Sequence, residues 1–257
     1  MTNINFSRSE KRVIIISIIL LGFLFSFKQW GTDRFDILFG IGNWLRASIV
    51  AAVSLLIMIL VKKLVANKYG TEIEYRIWSI KRYGFSPSSK LPKKILGSEV
   101  NSIALGIILP LILIFITNGS LIFAGVGITL FLSNAALRLG RKYQYLSEFE
   151  VAMMSLAGPL TSLLLAMIFK IVGFSGVTFD LFVKMNFYLA FFSMLPLPNF
   201  DGIRIFFASR FLYILIFAFI ILTIILSLYI NGFSSIILAL IISLVMAIIY
   251  FYFLQFK

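Results

Sequence analysis

The chain has no histidine and no cysteine among its 257 residues. Without imidazole there is no neutral-pH acid/base group, no pH sensor of the usual kind and no nitrogen ligand for zinc. Without thiols there are no disulfides, no cysteine nucleophile and no thiolate metal site, so cysteine usage says nothing of redox compartment. Charge is scarce as well: 13% of residues are Asp, Glu, Lys or Arg, and only 10 are acidic. A soluble domain cannot cover itself with so few polar side chains, which leaves the bilayer as the solvent.

What is present fits that solvent. Hydrophobic residues make up 61% of the chain, and the mean hydropathy is +1.04. Eight apolar runs fall at Val13 to Phe27, Leu38 to Val61, Val100 to Thr117, Ser120 to Asn134, Val151 to Val172, Leu181 to Leu197, Phe211 to Ile230 and Phe233 to Phe256. Their length and continuity predict an all-α polytopic membrane protein of about 6–8 transmembrane helices rather than a barrel. The fourth run is short for a crossing. Two readings stay open: the third and fourth runs cross fully, or they form a re-entrant helical hairpin turned at Asn118-Gly119.

The formal charge of +13 follows from loops that retain Lys and Arg on one side. Lys62, Lys63, Lys68, Arg76, Lys81, Arg82, Lys90, Lys93 and Lys94 make one loop cytoplasmic, and Arg138, Arg141, Lys142, Arg204, Arg210 and Lys257 fall on the same side. The reading is an integral protein of the plasma membrane with both termini cytoplasmic. Glu10 and the polar start lack a cleavable signal pattern, so the first run is expected to be a retained span.

Between the spans, Ile73, Tyr75 and Ile77 alternate with Glu72, Glu74 and Arg76. Period two predicts a short membrane-associated strand over Thr71 to Trp78, paired with Ser79 to Phe85, before a loop at Ser86-Pro87-Ser88-Ser89. Ser147 and Glu150 have capping-box spacing for a helix starting near Phe149. Within that helix Ser155, Gly158, Ser162 and Ala166 form a small-residue packing seam, and Pro159 is placed to kink it. Arg46 lies in the second apolar run. The preferred reading starts the helix just before it, with Asp36 as a candidate partner.

Three stretches together resemble the site-2 protease family of intramembrane zinc metalloproteases, in its short archaeal-type form. Ser193-Met194-Leu195-Pro196-Leu197-Pro198-Asn199-Phe200-Asp201-Gly202 is similar to the family's N-L-L-P-x-P-x-L-D-G segment, whose aspartate is the third zinc ligand. Leu156 to Ala166 is similar to its A-G-P-x-x-N-x-x-L-A helix. Met58 to Gly70 aligns with H-E-x-x-H-K-x-V-A-x-x-Y-G, where Met58 and Lys62 take the histidine positions and Ile59 that of the glutamate. Glu74 to Trp78 and Ile122 to Gly125 look like the family's strand and the segment after it. The resemblance implies a core over residues 55–206, N-terminal helices over 1–54 and a C-terminal helical hairpin over 207–257.

The family's chemistry needs two imidazoles one helical turn apart on one zinc and a carboxylate to deprotonate its water. Methionine, isoleucine and a cationic lysine supply none of this, so no cofactor is expected. A serine mechanism lacks its base, and an aspartyl pair lacks a second nearby carboxylate, since Asp180 and Asp201 fall near opposite faces. The resemblance therefore implies a pseudoprotease. Two readings of the remnant stay open: Lys62 takes the metal's place beside Asp201 as an ion pair, or Asp201 is solvated or caps the next helix while Lys62 snorkels. Glu72 to Ile77 could grip a partner chain by strand addition.

The leading functional expectation is a noncatalytic scaffold or adaptor that binds another membrane protein. The alternative is a structural subunit of a larger membrane complex, its basic loops touching anionic lipid, an acidic subunit or, if ribosome-associated, RNA. A transporter would call for paired intramembrane charges or an inverted repeat, and no repeat is visible. An active protease of unusual chemistry ranks last.

Overall fold

The computed structural model describes residues 5–31, 36–80, 93–95, 98–100, 102–132 and 146–255. In chain order the elements are α1 (Arg8–Ser26), α2 (Ile37–Lys68), β1 (Glu72–Ile77), β2 (Lys93–Ile95), β3 (Ser98–Val100), α3 (Leu105–Ile116), β4 (Gly127–Leu132), α4 (Glu148–Val172), α5 (Val177–Ser193), α6 (Asp201–Ala208), α7 (Arg210–Tyr229) and α8 (Gly232–Gln255). The protein is mostly helical. Among the described residues, four helices are long and apolar enough to cross a membrane: α2, α4, α7 and Gly232–Phe253 of α8. The expected loop at residues 86–89, and the basic residues Lys81, Arg82, Lys90, Arg138, Arg141, Lys142 and Lys257, lie outside the described residues.

Local chemistry sets the helix ends. Ser7 caps α1 through the Glu10 amide, and Asp36 caps α2 through the Phe39 amide. Helix α2 thus begins at Ile37, well before Arg46, and Asp36 spends its carboxylate on the cap rather than on that arginine. Ser147 and Glu150 form a complete capping box on α4, which ends at Gly173 in the left-handed conformation. Pro159 is accommodated inside α4.

The fourth apolar run departs from expectation. The chain turns at Asn118 and Gly119, both with positive φ, but the returning arm is extended and ends in β4 instead of a helix. Gly125, Gly127 and the β-branched Val126, Ile128 and Thr129 disfavour a helix there and suit a strand. Strand β1 supplies the partner edge in antiparallel register, Glu72 opposite Leu132 through Ile77 opposite Gly127. The sequence-adjacent pairing of β1 with Ser79 to Phe85 is therefore replaced by one about fifty residues away. Ile80 instead bridges to Ile103, and residues 81–85 lie outside the described set. Strands β2 and β3 make a separate small hairpin.

Two large apolar clusters hold the bundle. One joins α1, α2, β1, α3 and α5 around Leu21, Leu55, Ile59 and Met185. The other joins α4 to α7 around Leu163, Met167, Met194 and Ile220. Lipid tails are as apolar as leucine, so close backbone approach rather than water exclusion must favour helix contact in a bilayer. Small residues provide it. Ser155, Gly158, Ser162 and Ala166 are all buried on α4, and Ser235, Ala239, Ser243 and Ala247 form a second buried row on α8.

Candidate functional site

The site is built where α2, β4, α4 and α6 meet. Lys62, six residues before the end of α2, is 3% exposed and directs its ammonium inward. Its Nζ donates to Asp201 Oδ2 at 2.5 Å and to Thr129 Oγ1 at 3.3 Å. Thr129 donates in turn to Asp201 Oδ1 at 3.4 Å. Lysine can lie here because α4 carries glycine opposite it: a Cβ on Gly158 would stand 2.1 Å from Lys62 Cε. The small-residue seam thus serves side-chain passage as well as helix packing.

Asp201 is held by the break before α6. Pro196 and Pro198 prevent a continuous helix, Asn199 turns the chain at φ 69°, and Asp201 becomes the first residue of α6. Its carboxylate there complements the helix N-terminus. Gly202 is required by closeness, since a Cβ would meet Met194 O at 2.0 Å. Trp78 fixes the segment from the other side by donating to Pro198 O at 3.0 Å and packing edge-on against Phe200. Asp201 is buried rather than solvated, and Lys62 does not snorkel.

Among the other aligned positions, Met58 and Ser193 line a void of about 20 Å³ with Lys62 and Asp201. Ser193 spends its hydroxyl on the Leu189 and Ala190 carbonyls of its own helix. Ile59 is fully buried in the larger apolar cluster and does not line the void. Zinc does not fit this donor set: one carboxylate already carries an ammonium, and a thioether and a threonine hydroxyl cannot complete a tetrahedron.

A second cation borders the pair. Burial pushes the Arg204 guanidinium down from its ordinary range, opposed by the nearby Asp201 charge. Arg204 lies 4.5 Å over the Phe131 ring, a contact that partly replaces lost water.

A neighbouring buried pair went unseen in the sequence. Glu10, 1% exposed, accepts from Lys63 Nζ at 2.8 Å through Oε2 and from the Tyr75 amide at 3.0 Å through Oε1. Lys63 also donates to Asn5 O and lies over the Phe6 ring. Its signal was the adjacency of Lys62 and Lys63, which at about 100° per helical residue face different neighbours. Strand β1 is consequently engaged on both sides. Glu74 and Arg76 face β4, and the opposite edge is closed at its centre by Glu10. A partner strand along Glu72, Ile73, Glu74, Tyr75, Arg76 and Ile77 requires the start of α1 to move.

Glu74 strengthens that closure. Burial raises its carboxyl, but hydrogen bonds from Ser7, Arg76 and Ser9 outweigh this and hold it below the ordinary 4.5. A lowered folded pKa contributes stability that is present above the unfolded value and lost as pH falls through the folded one. We expect the start of α1 to stay docked at pH 6 and to loosen progressively below about pH 4.5. Amide exchange of residues 7–11, with Glu74→Gln abolishing this component, measures it; protection in the parent chain that is flat down to pH 3 would refute it.

No protein-family model, curated protein or solved structure matches this chain.

Proposed function

We propose that this protein is a catalytically inactive, site-2-protease-like membrane scaffold that binds another membrane protein without cleaving it. The observation that carries the reading is the buried Lys62–Asp201 contact. In the resemblance Lys62 stands at a metal-ligand position and Asp201 at another, so an ammonium fills the place of the ion and joins α2 to α6 without one. The family-like motifs cover the last part of α2, most of β1, the middle of α4, the last residue of α5 and the first two residues of α6, while β4 lies outside them.

The topology we propose has six crossings, α1, α2, α4, α5, α7 and α8, in a plasma membrane with both termini cytoplasmic. Helices α1 and α5, with 19 and 17 residues, lie near the lower bound for spanning. Helix α3 and the extended arm behind it enter from the cytoplasmic side and return. Such non-helical backbone is tolerated at depth because protein covers it: Phe123, Ala124 and Val126 are buried.

Gentle detergent extraction followed by quantitative proteomics tests the scaffold role. A recurring membrane-protein partner that remains full length is the expected result. Cleavage of that partner, abolished by Asp201→Ala, would overturn the reading. Capture of fixed-stoichiometry subunits would favour a structural component of a larger complex instead.

A further inference from the structure

A large cavity lined by described residues is remote from the Lys62–Asp201 contact. It measures about 860 Å³, within the roughly 300–1,000 Å³ typical of small-molecule sites. Phe187, Phe191, Phe192, Ile221 and Ile224 give it an apolar wall from α5 and α7, while Lys170, Asp180 and Lys184 bring charge to it.

The charge arrangement is unbalanced. Two lysines line the cavity against one aspartate, and neither lysine forms an ion pair with a described acidic residue. Lys170, in the last turn of α4, donates among the described residues only to the carbonyl of Ser227. That carbonyl lies in the final turn of α7, where helix oxygens lack an intrahelical partner. Lys184 is two turns into α5, at a depth where an unmatched cation is costly. Lys170 sits near the helix ends, and the long Lys184 side chain can extend its charge in the same direction. A ligand that balances these groups carries an anion at the helix-end side and alkyl chain below it.

We infer that this cavity is a binding site for an anionic phospholipid, with its phosphate at Lys170 and Lys184 and an acyl chain along the α5–α7 wall. The surrounding solvent supplies that molecule directly. The inference rests on the membrane setting alone, so it stands or falls independently of the scaffold role.

Native mass spectrometry of the full chain, with phosphatidylglycerol or phosphatidylcholine added at equal concentration, tests it. Phosphatidylglycerol should be retained preferentially, and Lys170→Gln or Lys184→Gln should each lower its retention about fivefold. Lys68→Gln, at the far end of α2, should leave it unchanged. A bulky Ile224→Trp should reduce retention with both lysines intact. Equal retention of the two lipids, or lysine variants that behave like the parent, overturns the site. Displacement by inorganic phosphate would identify a free-anion site and overturn the lipid assignment. A photo-crosslinker at Phe174, which also lines the cavity, separates the remaining occupant: a lipid adduct supports the inference, whereas a peptide adduct without lipid overturns it.

Discussion

The Lys62→Met variant is expected to unfold about 3–5 kcal/mol more easily than the parent chain, the usual cost of stranding one member of a buried pair. Asp201 would keep Thr129 as a donor but lose the ammonium that neutralises it. Asp201→Asn should cost a similar amount by stranding Lys62. The double variant Lys62→Met/Asp201→Asn should recover most of the loss, because neither member of the pair is then stranded as a buried charge, and only the favourable field of Asp201 at Arg204 is lost. Unfolding by a graded denaturing detergent, read by helical circular dichroism, gives the cycle. Additive single effects would mean that the two side chains do not stabilise one another. The double variant matters for function too: a scaffold that needs only the shape of this core should retain its partner.

Glu10→Ala should be comparably damaging, at about 3–5 kcal/mol, since it strands Lys63 in a site where that residue is 6% exposed. It also leaves the Tyr75 amide without its acceptor, adding a cost of about 1–3 kcal/mol unless water enters. Glu10→Gln should be milder for the amide and still harmful to the lysine. Hydrogen exchange distinguishes these terms: faster exchange at Tyr75 in the alanine variant alone is the expected pattern. If Glu10→Ala leaves both stability and Tyr75 protection unchanged, the α1 start does not close the strand edge. Because that edge is the surface on which strand addition would act, the same variant should expose it. Stronger partner capture by Glu10→Ala in membranes would mark α1 as a guard over the strand.

Regular features were legible from local pattern. The alternation at Ile73, Tyr75 and Ile77 marked β1, Ser147 and Glu150 marked the start of α4, and the proline pair marked the break before Asp201. Each depends on neighbours a few residues away, so short-range sterics and hydrogen bonding suffice to specify it. The arm after Gly119 was misread because an apolar run of that length suits either a helix or a buried strand. Only the presence of β1 across from it decides the matter. Glu74 illustrates the same limit: alternation assigns it to the polar face, yet Ser7, Ser9 and Arg76 cover it.

By itself the sequence determined the solvent and the excluded chemistry. Hydropathy is a sum over residues, and the absence of histidine and cysteine holds in any conformation. The tertiary structure decided which charges are matched among the described residues: Lys62 with Asp201 and Lys63 with Glu10, whereas Lys170 meets a carbonyl. The reason is physical. Pairing energy depends on separation and burial, and contacts between residues 139 and 53 positions apart are fixed by how helices pack, not by any local preference of the chain.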